Sequence, residues 1–168
     1  MARATCQRLY SAMAIIIVEM DQVGSGTDKD IIATHGLACC IGIAIVGTYA
    51  RRPPQGKLPE SKFLVHLADG PRFKSNWEAM KCKVQHAKAH GLHNVMAKVV
   101  VVDTATLVDD EYGDWSRQAI LSQWGQNRAI IQEVDQLVGG KVEVVEHHIN
   151  DEKDLRITPD KQILVRGI

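Results

Sequence analysis

Two adjacent cysteines and a downstream histidine are the residues of this sequence best suited to nucleophilic chemistry. Cys39 and Cys40 follow a glycine-containing turn, at the start of an apolar run over residues 41–46. His66 lies within the next apolar run, residues 62–67. A thiol attacks well only as the thiolate, and a nearby imidazole can accept its proton and hold the ion pair. This pattern predicts a cysteine nucleophile, with Cys40 and His66 as the candidate pair.

An imidazole that acts as a base needs a third group that fixes its tautomer and orientation. The hydroxyl of Thr34, or a backbone carbonyl, could do this for His66. The competing interpretation is structural: Cys39 and Cys40 are small core residues, and His66 is a core histidine with both ring nitrogens hydrogen-bonded. The residues alone leave both interpretations open.

The remaining histidines predict a metal site less well. Cys82, His86 and His90 are spaced four residues apart and would share one face of a helix. Lysines crowd the same segment and no carboxylate lies at ligand spacing, which favours a solvated or half-buried helix face. His147 and His148 would point to opposite faces of a strand and could not easily hold one ion. We expect neither a metal nor another cofactor.

Apolar periodicity predicts the elements that must position these residues. We predict strands at residues 13–20, 31–34, 40–49, 62–67, 95–102, 141–147, 155–158 and 162–166, and helices at 75–90 and 116–138. This order predicts an α/β protein with a layered mixed β-sheet and two main helices packed over it.

Local signals refine these elements. The strand at residues 40–49 has small residues on one face and isoleucines on the other, which predicts burial on both faces. Residues 21–30 contain two glycines and several polar residues, so we expect a loop. Ser75 and Glu78 predict a capping box at the start of the first helix. Gly125 predicts a break in the second helix.

Composition and charge narrow the function classes. The chain has 168 residues, with 20 basic and 20 acidic side chains, and so no electrostatic footprint for nucleic acid or for a polybasic membrane surface. No apolar run approaches the roughly 20 residues of a membrane helix. We expect one domain over residues 1–168, with a core at about 12–166, that binds no nucleic acid and does not insert into membranes.

The four cysteines are too few for a disulfide framework in a chain of this size. Free thiols in a reducing cytoplasm are therefore the expected setting. A toxin or effector exported by a specialised route would have the same cysteine content.

The residues around both candidates resemble the CheD family of chemotaxis glutamine deamidases and its structural relatives, the deamidating toxins of the cytotoxic necrotizing factor type. That family has a TLGLGSC-type turn, a strand of small residues, and then an apolar strand with a central histidine. Here the turn is THGLACC at residues 34–40, with the threonine-to-cysteine spacing kept, and the histidine strand is FLVHL at 63–67. GQNRA at 125–129 resembles the family's entry to its last helix, and residues 155–166 resemble its closing hairpin.

This resemblance implies a CheD-like α/β/β sandwich in which Cys40, not Cys39, is the nucleophile and His66 and Thr34 are its partners. It implies hydrolysis of a glutamine side chain in a partner protein through a thioester on Cys40, without a cofactor. The expected partner is a protein substrate with an exposed glutamine. We also expect the Cys40 sulfur within about 4 Å of a His66 ring nitrogen.

Two features depart from the family pattern. The loop between Cys40 and His66 is longer, and DTAT at residues 103–106 replaces a glycine-rich stretch. Two alternatives therefore stay open. One is another amidohydrolase on the same scaffold, such as an N-terminal asparagine amidase or a transglutaminase-like enzyme. The other is a non-catalytic binding protein that keeps the fold.

Overall fold

The computed structural model of the protein describes residues 13–50, 59–108 and 115–168. Its elements, in chain order, are β1 (Ile15–Ile17), β2 (Gln22–Gly26), β3 (Ile31–Leu37), β4 (Ile41–Tyr49), β5 (Lys62–Leu67), α1 (Phe73–Ala89), β6 (Leu92–Val102), a short 3-10 helix (Thr104–Thr106), α2 (Arg117–Val138), β7 (Val142–His147), β8 (Lys153–Ile157) and β9 (Ile163–Gly167). The predicted fold class, an α/β protein with layered mixed sheets and two main helices, is confirmed. None of the helices in these three ranges is long and apolar enough to span a membrane.

The strands form two mixed sheets. The large sheet has the order β2-β5-β4-β6-β7, in which only the β6–β7 pair is parallel. The small sheet has the order β1-β3-β8-β9, in which only the β1–β3 pair is parallel. The large sheet therefore carries β4 and β5, and the small sheet carries β3, the strand that leads into the cysteine turn.

The side chains of β4 alternate between two faces, and this accounts for the three layers of the fold: the helices, the large sheet and the small sheet. Ile41, Ile43 and Ile45 pack against the helices on one face of the large sheet. Ala44 and Val46 pack on the other face, against the small sheet. Because successive side chains of a strand point to opposite faces, a strand with apolar residues at every position is buried on both sides. The predicted double burial of this strand is confirmed.

Helix α1 has the predicted apolar stripe, in which Trp77, Met80 and Val84 are buried against the large sheet. The predicted capping box is wrong, because the helix begins at Phe73 and its N-cap, Arg72, makes no side-chain cap. Ser75 is already inside the first turn, where its hydroxyl donates a hydrogen bond to the Arg72 carbonyl. A serine in that place bonds back to the preceding turn instead of capping it.

Helix α2 is continuous, so the predicted break at Gly125 is wrong. An interior glycine costs only about 0.5–1 kcal/mol relative to alanine, and the buried side chains of Ile130 and Val134 hold this 22-residue helix on the sheet. Ser116 caps its first turn through its side chain, and Gly139 ends it with a left-handed backbone. The GQNRA segment thus lies in the middle of a helix and not at its entry.

The predicted loop at residues 21–30 is partly wrong, because Gln22–Gly26 is strand β2, which pairs with β5 along its whole length. A Cβ atom at Gly24 would overlap the side chain of Val18. The glycine therefore marks a close approach of another side chain to a strand, and not a turn.

Candidate active site

The large and small sheets meet at a hydrogen bond between Thr34 and His66. Thr34 lies in β3 of the small sheet and His66 in β5 of the large sheet, and neither residue is more than 2% exposed. Oγ1 of Thr34 is 2.7 Å from Nδ1 of His66. This contact fixes the orientation of the imidazole, which is what a catalytic base requires of its partner. The structure thus brings together two of the three residues expected at the site.

The second ring nitrogen of His66 is the more unusual feature. Nε2 is buried and has no hydrogen-bond partner within the ranges that the structure describes. A buried polar atom without a partner costs about 1–3 kcal/mol, and a catalytic role is one recognised reason for keeping it. If the Nδ1 proton is donated to Thr34, Nε2 carries a lone pair and can accept a proton.

The surroundings of His66 keep its imidazole neutral. Burial lowers the pKa of His66, and the carboxylates of Asp21 and Glu19 act against this by raising it. A depressed pKa means that the neutral ring, which is the form able to act as a base, predominates at neutral pH.

Cys40 lies in the apolar layer into which Thr34 and His66 project. Cys40 is 5% exposed and packs with Leu37 and other side chains between the two sheets. Gly42 pairs directly with His66 in the β4–β5 ladder. Cys40 precedes Gly42 by only two residues, so the thiol lies at the same end of the layer as the imidazole. No hydrogen bond joins the Cys40 thiol to the His66 ring, however: Nδ1 bonds to Thr34, and Nε2 has no partner in the described ranges.

The resting thiol of Cys40 is instead influenced by its chain neighbour. A side-chain hydrogen bond with the Cys40 thiol lowers the pKa of the exposed Cys39 to about 6. The same interaction, together with burial, raises the pKa of Cys40. Cys39 therefore loses its proton at a lower pH than Cys40, and its sulfur is the one in contact with water. Cys40 keeps its proton, so its activation requires a base.

Asp21 was not singled out from the sequence, yet it binds the backbone at His66 and two residues after it. Its N–H donates to the His66 carbonyl at 2.9 Å, and its carboxylate accepts from the N–H of Ala68 at 3.2 Å. Its own carbonyl accepts from Nδ2 of Asn76 in α1 at 2.9 Å. Asp21 has a φ of 58°, a conformation that Asp and Asn adopt more readily than other non-glycine residues. That preference was the available sequence signal.

Gly36 lies in β3, at the irregularity between Thr34 and Leu37 that precedes the cysteine turn. Its φ is 70°, in the left-handed region that favours glycine. Its N–H donates to a carboxylate oxygen of Asp154 at 3.3 Å, and its carbonyl accepts from Ala38 at 3.0 Å. These bonds fix the path from the end of β3 to the start of β4, and hence the position of Cys40.

The other histidines lie apart from this site. His86 and His90 stack with their ring centroids 4.2 Å apart. No group of three His, Cys, Asp or Glu side chains in the described ranges is arranged to hold a metal ion. His147 in β7 is buried, with Nδ1 3.0 Å from the His148 carbonyl oxygen. It lies three strands from His66 in the sheet order, roughly 14 Å at about 4.8 Å per strand.

No protein-family model matches the chain, and no curated protein matches its sequence. The resemblance to CheD therefore remains a prediction that depends on residues 34–40 and 63–67.

Proposed function

We propose that this protein is a cysteine-dependent amidohydrolase that deamidates glutamine side chains of a partner protein. The observation that supports this proposal best is the hydrogen bond between Thr34 Oγ1 and Nδ1 of His66. With the Nδ1 proton donated to Thr34, Nε2 is a buried and unpaired acceptor in the layer that holds Cys40. Nε2 of His147 is also buried and unpaired within the described ranges, but His147 lies three strands away in the sheet order, whereas the unpaired nitrogen of His66 lies at the same end of the apolar layer as a cysteine. Glutamine as the substrate comes from the resemblance of the turn and the histidine strand to CheD.

In the first half of the proposed reaction, Nε2 of His66 accepts the thiol proton of Cys40 as the sulfur attacks the carboxamide carbon. Backbone N–H groups around Cys40 stabilise the oxyanion that forms. The carbon–nitrogen bond then breaks, and the imidazolium of His66 gives its proton to the departing ammonia. The substrate acyl group is left on Cys40 as a thioester.

In the second half, neutral His66 accepts a proton from water as the water oxygen attacks the thioester carbon. The carbon–sulfur bond breaks, glutamate is released, and the proton returns to Cys40. The partner protein gains one negative charge, which can alter its interactions. A reducing cytoplasm, in which the thiols of Cys39 and Cys40 persist, is the setting that we propose for this reaction.

The test uses the full chain and a cell extract, with mass spectrometry to find glutamines converted to glutamate. We expect conversion by the wild-type protein and by Cys39→Ser, and none by Cys40→Ser or His66→Gln. Conversion that survives Cys40→Ser would refute Cys40 as the nucleophile. Failure of the wild-type protein to release ammonia from any glutamine or asparagine side chain would refute the amidohydrolase.

Two further outcomes of the same experiment would change the substrate class. Conversion of asparagine instead of glutamine would indicate an asparagine amidase, and covalent attachment of an added primary amine would indicate acyl transfer. Circular dichroism of each variant checks that a loss of conversion is not a loss of fold.

A further inference from the structure

A second reactive thiol, which the proposed reaction does not use, lies beside the proposed nucleophile. Cys39 is exposed, whereas Cys40, the next residue, is buried. β3 ends at Leu37 and β4 begins at Ile41, so both cysteines lie in the bend between these strands and outside either ladder. The bend can therefore change conformation without breaking the hydrogen bonds between strands.

We propose that Cys39 and Cys40 form an oxidisable dithiol, which hydrogen peroxide closes to a disulfide between the two neighbouring residues. The disulfide would block the sulfur of Cys40 reversibly. The chemistry needs only the two thiols, while its effect on activity rests on the function proposed above.

The steps balance as follows. The Cys39 thiolate attacks one peroxide oxygen, the O–O bond breaks, and hydroxide leaves and takes up a proton to become water. Cys39 is then a sulfenic acid. The sulfur of Cys40 attacks the sulfur of Cys39, the S–O bond breaks, and the Cys40 proton leaves with the hydroxide as a second water. The two thiols together lose two electrons and two protons, and the peroxide gains them.

The positions of the two thiols set this order. Peroxide reacts with thiolates that solvent can reach, and Cys39 meets both conditions because it is exposed and has a pKa of about 6. Cys40 is buried in the apolar layer and holds its proton. It is therefore poorly placed to meet peroxide first, but well placed to react with an oxidised neighbour.

The geometry of neighbouring residues makes this disulfide easy to reduce. Disulfides usually join residues whose Cα atoms are about 4.4–6.8 Å apart, whereas consecutive Cα atoms are about 3.8 Å apart. Strained disulfides have more oxidising potentials and are the labile ones. A thiol such as glutathione should thus restore both cysteines, and ring closure should protect Cys40 from irreversible oxidation to sulfinic acid.

The experiment exposes the full chain to hydrogen peroxide, removes the peroxide, and then unfolds the chain in denaturant so that N-ethylmaleimide reaches every free thiol, the buried Cys40 included. Tryptic peptides are then analysed by mass spectrometry. We expect the peptide with Cys39 and Cys40 to lose both alkylation sites together and to weigh two hydrogens less. Reduced glutathione should restore both sites. Cys82 is exposed on α1, without a neighbouring cysteine, and serves as the internal control.

The matched variant is Cys39→Ser, in which we expect Cys40 to remain alkylatable at the peroxide concentration that closes the wild-type ring. A wild-type protein with sulfinic acid at Cys39 and a free Cys40 would overturn the proposal, as would a disulfide between two chains. These readouts are masses of the chain itself, so they hold or fail independently of the deamidation assay.

Discussion

Thr34 and His66 belong to different sheets and are 32 positions apart in the chain, yet Thr34 Oγ1 and His66 Nδ1 lie 2.7 Å apart. The orientation of the proposed base therefore depends on how the small sheet packs on the large one. The hydroxyl comes from β3, whose next turn carries Cys39 and Cys40. One strand thus supplies both the partner of the proposed base and the chain that leads into the proposed nucleophile.

Replacement of Thr34 by valine tests this contact. Valine keeps the shape but removes the hydroxyl, so Nδ1 of His66 loses its partner and the ring its fixed orientation. We expect activity to fall by about 10²-fold or more, the usual contribution of a general base. Unfolding by urea should show a loss of about 1–3 kcal/mol for the unpaired buried nitrogen. Thr34→Ser keeps the hydroxyl and should retain most of the activity. Full activity in Thr34→Val would show that Thr34 does not orient the base.

Replacement of Asp21 by asparagine removes a charge near His66 with little change of shape. Asparagine tolerates the left-handed backbone at this position, and its Oδ1 can still accept from the N–H of Ala68. Because the Asp21 carboxylate raises the pKa of His66, its removal should lower that pKa further. The imidazole proton signals in an NMR titration measure the shift directly.

The control for Asp21 is Asp69→Asn. Asp69 is exposed, and its carboxylate raises the pKa of Cys39. We expect the His66 titration to move in Asp21→Asn and to stay in place in Asp69→Asn. Equal shifts in both variants would mean that general surface charge, and not Asp21 in particular, acts on the base.

The buried imidazole of His66 also predicts how stability depends on pH. Burial holds the pKa of His66 in the folded chain below its ordinary value of about 6.5, which applies to the unfolded chain. At a pH between the folded and the unfolded pKa, the unfolded chain therefore binds more protons than the folded one. His66 should therefore lower the free energy of unfolding as the pH falls below about 6.5. We expect this extra loss in denaturant titrations of the wild-type protein, and its absence in His66→Gln. Parallel pH curves for the two proteins would contradict it.

Much of the fold could be predicted because its signals are local. Lys62–Leu67, with four apolar residues out of six, is a strand that the structure reproduces residue for residue, and the two-faced pattern of β4 predicted the layers around it. The strand Gln22–Gly26 was missed because its glycine accommodates Val18, a contact that no short stretch of sequence shows. The break expected at Gly125 failed because packing of α2 outweighs one weak residue.

The candidate site could likewise be predicted from the sequence only in part. The spacing from Thr34 to Cys40 and the placement of His66 within a strand are visible in the sequence. That Thr34 and His66 meet depends on the packing of two sheets. The residues alone left the Thr34 hydroxyl and a backbone carbonyl as alternative partners, and only the resemblance singled out Thr34. The role of Asp21 depends on a backbone conformation and three hydrogen bonds, which link it to β5 and α1. Neither the spacing nor the polarity of the chain indicates those bonds.

Replacement of Gly42 by alanine tests whether the close packing beside His66 is needed. A Cβ atom at Gly42 would overlap the side chain of Leu37, at the end of β3 just before the cysteine turn, and would crowd Leu155. Overpacking of this kind costs about 1–3 kcal/mol, and displacement of Leu37 should also reduce activity by moving Cys40.

Gly125→Ala is the matched control, because nothing lies within 4 Å of its Cβ position and alanine favours the helix. Urea titrations should show Gly42→Ala less stable and Gly125→Ala more stable than the wild type. A neutral Gly42→Ala with full activity would show that the two sheets can separate there without disturbing the site.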